Sequence, residues 1–330
     1  MKMDEILNVL GPLTQLYQDP EISEIMVDAP DKVTVDRDGH LVDSSVKFAS
    51  PDELRSLIDA VLAIGDVELG PGCTVGYMRF PDGSRMLAII PPTSLTGPCL
   101  VIRKIRTNKI SMEQLIDWGS VTIEEYQLLQ SAIRARLNIL IAGGTGSGKS
   151  TVANLLTDEF PENERVVLVE SMFELQPNKR FLHLVANDSP DQSFADLIDL
   201  AAKMRPDRLV IGELNGPEAM KVLDVFNIGH DGSMATLHAG CPEDALTRLE
   251  TMCLMANLGL GLNEIRMVIA SAIQLITYQQ RLPDGSRKVT HIVELRGLDN
   301  GRYILTPLFR YNPETERIEP TGASPSWEGR

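Results

Sequence analysis

The chain has 330 residues, 43% of them hydrophobic, which is enough for two ordinary domains with real cores and excludes a disordered or fibrous polymer. A formal net charge of −15 speaks against broad nonspecific binding to nucleic acid or anionic lipid, so protein partners are expected and direct nucleic-acid binding is not. The opening "MKMDEILNVLGPL" puts acids ahead of any apolar run and lacks a signal-peptide layout, and no stretch reaches transmembrane length, so the expectation is a cytoplasmic protein with any membrane attachment made through partners.

Along the chain, "EIMVDAPDKVTVDRDGHLV" alternates and turns at Asp38-Gly39, which predicts strands and hairpins. Ser50, Pro51 and Glu53 then form a capping-box start, with Leu54, Leu57, Ile58, Val61 and Leu62 on one helical face. "YMRFPDGSRMLAIIPP" predicts a second hairpin around Asp82-Gly83, and "CLVIRKI" another strand. Together these make a small α+β domain over residues 1–106. Residues 107–120, "TNKISMEQLIDWGS", are expected as a linker with one short helix, and residues 122–135 as the helix that enters a second domain spanning 121–330.

From Leu137 strands and helices alternate: "RVVLVE", "RFLHLV", the helix "SFADLIDLAAKM" with Ser193 and Asp196 in capping spacing, then "RLVIGEL". That alternation predicts a parallel sheet covered on both faces. From Leu275 the pattern becomes antiparallel strands turning at Asp284-Gly285 and Asn300-Gly301. "PDGSR" occurs at 81 and again at 283, which fits a repeated hairpin turn better than an internal repeat. Cys73, Cys99, Cys241 and Cys253 are scattered, without the close pairs of a zinc site, and are expected to be reduced, mostly buried thiols.

The chemistry begins in "NILIAGGTGSGKSTVANLL", where an apolar run meets a glycine-rich loop and then a helical pattern. Gly143, four residues, then Gly148, Lys149 and Ser150 fit the phosphate-loop signature. Side chains at Gly144, Gly146 and Gly148 would obstruct the approach of backbone N–H groups to a polyphosphate, and the helix that starts near Gly148 points its positive end at the same anion. Gly144, Thr145, Gly146, Ser147, Gly148, Lys149, Ser150 and Thr151 are therefore the candidate nucleotide-binding residues, with Lys149 reaching the β/γ phosphates and Ser150 suited to Mg²⁺ bound with ATP.

Glu213 ends the apolar strand "RLVIGEL", where an acid can meet the Mg²⁺ water shell or polarise an attacking water. Glu170 ends "RVVLVE" and is expected at the same carboxyl edge, as a candidate for orienting or deprotonating water. "NIGHDGSMATLHAG" carries His230 and His238, and an imidazole that senses the γ-phosphate is expected there, at His230 in preference to His238. For each of these residues a structural role is the alternative: a carboxylate that merely finishes a strand, or a histidine satisfied within the fold.

"GGTGSGKST", "VESMFEL", "MRPDRLVIGEL" and "NIGHDGSMATLHA", in this order, resemble the Walker A, acidic, Walker B and histidine boxes of the type II/type IV secretion ATPase superfamily. "EISEIMVDAPDKVTVDRDGHL" and "PDGSRMLAIIPPTSLTGPCLVIRKI" are similar to that superfamily's N-terminal domain. The tail, with "HIVELRGL" and "ILTPLFRYNPETERIEPTG", is most similar to the Tad/Flp pilus motor branch of CpaF/TadA type, with conjugation ATPases close behind. The tetracysteine element of many type II secretion ATPases is absent from the sequence.

The resemblance implies an α/β fold class: a RecA-like P-loop NTPase motor domain with a smaller α+β N-terminal domain. It also implies a homo-oligomeric ring, usually a hexamer, with ATP held between the two domains of a protomer and its neighbour. Carried over, Glu170 belongs to the acidic box, Glu213 is the Walker B glutamate, His230 is the histidine-box residue, and Arg103 and Arg106 in "VIRKIR" match basic positions that approach the nucleotide in relatives. Arg85 is a weaker match of the same kind. Ser171, Lys203 and Asn215 depart from the aspartate and arginines usual in relatives, which puts turnover and coupling between subunits in doubt but not nucleotide binding.

The implied function is an ATPase that drives a pilus or a secretion machine through an inner-membrane platform protein. The alternatives are a conjugation or type IV secretion ATPase, a DNA-translocating ATPase of related fold, a nucleotide-gated assembly scaffold with low turnover, and a small-molecule kinase, which lacks an evident acceptor lid.

Overall fold

The computed structural model describes residues 2–37, 40–105, 110–172, 174–176, 181–186 and 193–327, and the chain divides into two units, Met1–Lys109 and Ile110–Arg330. The first unit opens with two short helices, α1 (Met3–Val9) and α2 (Thr14–Gln18), which the alternating sequence that follows did not announce. They precede β1 (Ile22–Ala29), β2 (Lys32–Arg37) and β3 (His40–Asp43); the expected turn at Asp38-Gly39 lies outside the described residues. Next come α3 (Pro51–Ala63), β4 (Val75–Arg79), β5 (Arg85–Ile89) and β6 (Cys99–Arg103).

The six strands form one antiparallel sheet in the order β3-β2-β1-β6-β5-β4. Ser50 caps α3 by accepting the Glu53 N–H, and Leu54, Leu57, Ile58, Val61 and Leu62 are buried against Ile25, Val27, Met86 and Ile102 of the sheet. Alternate residues along β1 and β6 supply this core because side chains in a strand change face at every residue.

The short helix expected within residues 107–120 is α4 (Met112–Asp117), and it belongs to the second unit and not to a linker between the two. A capping box between Ser111 and Gln114 starts that helix, and Met112 and Leu115 are buried in the same cluster as Leu128, Leu129 and Ile139. Residues 110–120 therefore belong to this unit, with Met112 and Leu115 in its core, while 107–109 lie outside the described residues. The elements that follow are α5 (Ile123–Arg134), β7 (Ile139–Gly143), α6 (Lys149–Asp158), β8 (Val166–Glu170), β9 (Leu182–Val185), α7 (Phe194–Lys203), β10 (Arg208–Leu214), α8 (Glu218–Asn227) and β11 (Met234–His238). The unit ends with α9 (Pro242–Met255), α10 (Leu262–Ala272), β12 (Leu275–Arg281), β13 (Arg287–Asp299), β14 (Arg302–Asn312) and β15 (Arg317–Pro320).

The expected parallel sheet and the expected antiparallel tail are one nine-stranded sheet, in the order β15-β14-β13-β12-β7-β11-β10-β8-β9. The strands from β12 through β9 run parallel, and β13, β14 and β15 add on antiparallel. Both faces are covered. Leu140 and Ala142 of β7 enter one core with residues of α7, α8, α9 and α10, while Ile139 and Ile141 enter the other with residues of α4, α5 and α6. A strand buried on both sides reads as a continuous apolar run, which is why β7, β8 and most of β10 lack a polar alternation. The chain is thus α/β in class, with a parallel-sheet unit following a smaller α+β unit.

Among the described residues no helix is long and apolar enough to cross a membrane. Of the four cysteines only Cys253 is buried; Cys73 is exposed and Cys99 and Cys241 are half-buried, contrary to the expectation of mostly buried thiols. Cys241 is placed by helix geometry, since it caps α9 by accepting the Asp244 N–H.

Candidate functional site

Parallel pairing aligns the carboxyl ends of β7, β11 and β12: Gly143 lies opposite His238 on one side and Gln279 on the other. The loop that leaves this edge shows two different uses of glycine. A Cβ at Gly143 would lie 2.4 Å from the Gln279 carbonyl oxygen and 2.6 Å from Ser147 Oγ, so packing alone reserves that position for glycine. Gly146 and Gly148 have φ of +69° and +97°, the left-handed conformation that starts α6 without strain only in glycine. At Gly144 and Gly146 an added Cβ meets nothing within 4 Å, so the obstruction expected from side chains there concerns an approaching ligand and not the protein itself. Thr145 is exposed, Ser147 is buried, and Ser150 and Thr151 are half-buried at the start of α6.

Lys149 is buried, and its Nζ donates to the carbonyl oxygens of Gly143 and Gly144, both at 3.2 Å. It also lies 3.1 Å from His238 Nδ1. Burial pushes its pKa down, and the carboxylates of Glu213 and Glu174 oppose that shift. His238 Nε2 is 2.9 Å from Glu213 Oε2. One tautomer satisfies both contacts: a neutral imidazole that accepts from Lys149 at Nδ1 and donates from Nε2 to Glu213. Lys149 of α6, His238 of β11 and Glu213 of β10 are thereby strung together, with Glu213 and His238 both partly open to solvent. Ser150 Oγ donates to Glu174 Oε2 at 3.0 Å, which adds a second carboxylate beside the loop.

Two expected site residues differ from expectation, Glu170 in its surroundings and His230 in its place. Glu170 ends β8 as predicted but is 1% exposed, and its carboxylate is engaged on both oxygens. Oε1 accepts the N–H groups of Glu174 and Leu175 at 3.1 and 3.0 Å, and Oε2 lies 2.6 Å from His183 Nε2. In this structure the Glu170 carboxylate is taken up by these partners and faces no water, and its bonds to the Glu174 and Leu175 N–H groups place Glu174 beside Ser150. Gly212 of β10 makes room for it, since a Cβ there would lie 2.9 Å from Glu170 Cγ.

His230 precedes β11, whereas His238 ends it. In a parallel sheet those are opposite edges, and His230 Nδ1 lies 3.3 Å from the Pro206 carbonyl, just ahead of β10. His238, not His230, is the histidine at the phosphate loop.

Glu213 stands where it was expected. Asn215, two residues on, is in the turn that starts α8, where its N–H and that of Gly216 donate to Glu218 Oε1. Lys203 is exposed in the last turn of α7. Arg103 is exposed at the end of β6 in the first unit, paired across the sheet with Glu24 and Arg85, and Arg106 lies outside the described residues.

Sequence reasoning missed Glu174 and Arg287. Glu174 is four residues beyond a recognised acid, and the signal for it was a second carboxylate within "VESMFEL". Arg287 begins β13, and its Nε donates to the Gly146 carbonyl at 2.8 Å. Nothing local in the sequence links it to a loop 141 residues earlier.

Ser150, Glu174 and Glu213 offer hard oxygen donors of the kind Mg²⁺ takes. Among the described residues no cluster of three or more His, Cys, Asp or Glu could hold a metal by itself.

Comparison with known proteins gives a consistent picture. Residues 7–297 match the family described as "Type II/IV secretion system protein". The chain is 31% identical over 317 residues to the "Probable conjugal transfer protein TrbB" of Sinorhizobium fredii, covering 92% of this chain and 91% of that one. It is 26% identical over 332 residues to the "Type IV secretion system protein VirB11" of Bartonella quintana, covering 87% and 92%. Among solved structures, that of the pilus retraction motor PilT with bound ADP superposes with a TM-score of 0.59 at 18% identity over 93% of this chain and 83% of that one, a likeness of fold.

Proposed function

Because the chain belongs to the type II/IV secretion system protein family, we propose that it is an ATP-hydrolysing motor of a secretion or pilus machine. The observation that supports this most is the connected set at the phosphate loop: Lys149 on the loop carbonyls and His238, and His238 on Glu213. The reaction is attack of water on the γ-phosphate, in which positioning and electrostatics supply most of the acceleration.

Lys149 exchanges its loop carbonyls for β/γ phosphate oxygens, which are stronger acceptors because they are ionised. His238 then loses one of its two contacts, so arrival of the phosphate is felt at Glu213 through the imidazole. Glu213 orients the attacking water and takes up its proton. Ser150 Oγ and Glu174, with Glu213 through water, would hold Mg²⁺ arriving with ATP, and that ion would neutralise phosphate charge. Backbone N–H groups at the start of α6 complete the anion site.

The finer reading is a homo-hexamer that works on an inner-membrane platform protein from the cytoplasmic side. The tail resemblance supports a Tad/Flp pilus as the output, and the names of the relatives support conjugal transfer or type IV secretion. The experiment is phosphate release from Mg·ATP by the full chain. Lys149→Ala should abolish it in a folded protein, and undiminished turnover in that variant would overturn the assignment.

A further inference from the structure

We propose that Arg287, carried by the β12–β13 hairpin, is a further phosphate-facing residue of the nucleotide site; this rests on the reading of the phosphate loop as that site. The hairpin grows from the strand that flanks the loop. Gln279 of β12 lies opposite Gly143, so the residues beyond it extend past the same edge of the sheet.

The turn is held rigidly. Leu282 N–H donates to the Ser286 carbonyl at 2.8 Å, and Gly285 N–H donates to the Leu282 carbonyl at 2.9 Å with Gly285 at φ +87°. Asp284 Oδ1 accepts from both the N–H and the Oγ of Ser286, at 2.9 and 2.7 Å. The return strand therefore begins with Arg287 in fixed register opposite Arg281.

From there the side chain lies along the loop. Nε donates to the Gly146 carbonyl at 2.8 Å, and Cδ is 3.7 Å from the place a Gly148 Cβ would take. It thus spans the stretch whose backbone N–H groups would cradle a polyphosphate.

A guanidinium is always charged and has five donors in one plane, so it can hold a carbonyl through Nε while its terminal nitrogens meet phosphate. Ionised phosphate oxygens are better acceptors than neutral groups. The electrostatics call for such a group. Lys149 already faces the carboxylates of Glu213 and Glu174, and a polyphosphate brought beside them needs more positive charge than one lysine supplies. The hairpin delivers that charge from within the same chain.

The test is ADP titration of the full chain by calorimetry, with the thermal unfolding midpoint of each variant measured without nucleotide. Arg287→Lys keeps the charge and loses the Nε donor, whereas Arg287→Gln keeps a donor and loses the charge. If the charge faces phosphate, Arg287→Ala and Arg287→Gln should bind ADP about tenfold or more weakly, and Arg287→Lys should recover much of the loss. Should Arg287→Ala fail to fold, the comparison of Lys with Gln decides. ADP binding by Arg287→Gln equal to or tighter than by Arg287→Lys would reduce the residue to a support for the Gly146 carbonyl and overturn the proposal. Absence of ADP binding by the wild type, or full binding by Lys149→Ala, would instead overturn the nucleotide reading, and this proposal with it.

Discussion

Gly143→Ala adds one methyl group at the point where the phosphate loop leaves the sheet. The new Cβ would sit 2.4 Å from the Gln279 carbonyl oxygen and 2.6 Å from Ser147 Oγ, the first of these roughly 1 Å short of an ordinary carbon–oxygen contact. Gln279 O is backbone in β12, fixed by pairing with β7, so it cannot swing aside as a flexible side chain would. Overpacking of this kind costs about 1–3 kcal/mol, toward the upper end where the obstacle is backbone, and the reduced chain entropy of the unfolded state returns about 0.4–1 kcal/mol, so a net loss of about 1–2.5 kcal/mol is expected.

Gly144→Ala is the matched control. Its Cβ meets nothing within 4 Å and its φ lies outside the left-handed region, so stability should stay within about 0.5 kcal/mol of the wild type while ADP affinity falls, because the methyl faces the approach to the loop. Urea unfolding midpoints of the full-length variants, read beside ADP titrations, separate the two effects. A Gly143→Ala protein as stable as the wild type, or a Gly144→Ala protein less stable than Gly143→Ala, would refute the packing explanation.

His238→Ala should slow ATP hydrolysis about tenfold or more, whereas His230→Ala should leave the rate near that of the wild type, because the two histidines flank opposite ends of β11; steady-state phosphate release distinguishes them. Burial pushes the Glu125 carboxyl up to about 8, so the folded chain keeps a proton that the unfolded chain releases above its ordinary 4.5. That contribution is fully present below 4.5 and is lost as pH rises through about 8; urea midpoints should therefore fall across this window, and Glu125→Gln should flatten the decline. Arg208 is 1% exposed, pairs with Glu164 and donates to the carbonyls of Gly232 and Ile133, so Arg208→Ala should cost about 3 kcal/mol in chemical unfolding, with Arg136 still holding Glu164.

The parts of this protein legible in the sequence are those set by local chemistry. The strand, loop and helix around Gly143–Lys149, the caps Ser50 and Ser193, and the Asp-Gly turns at 82 and 284 each follow from residues within a few positions of one another. What was lost depends on which edge of the sheet a residue reaches. The strand between His230 and His238 is parallel to β7, and strand direction alone puts the second histidine, not the first, beside Gly143; that signal was present but unused.

Glu170 illustrates a different limit. Its position at a strand end was right, but its burial depends on His183 of β9 and on the space left by Gly212, neither of which has a sequence signature. The joining of the antiparallel tail to the parallel sheet through β12 was likewise invisible, because β12 and β7 are paired only in three dimensions.

The central claim is that Glu213, reached through His238 from the phosphate lysine, serves hydrolysis and not nucleotide binding. It is tested most directly by measuring phosphate release from Mg·ATP by Glu213→Gln beside its ATP affinity. The account predicts binding close to that of the wild type, with turnover slowed at least about tenfold. Wild-type turnover in that variant, or a loss of affinity large enough to explain the slower rate, would contradict it.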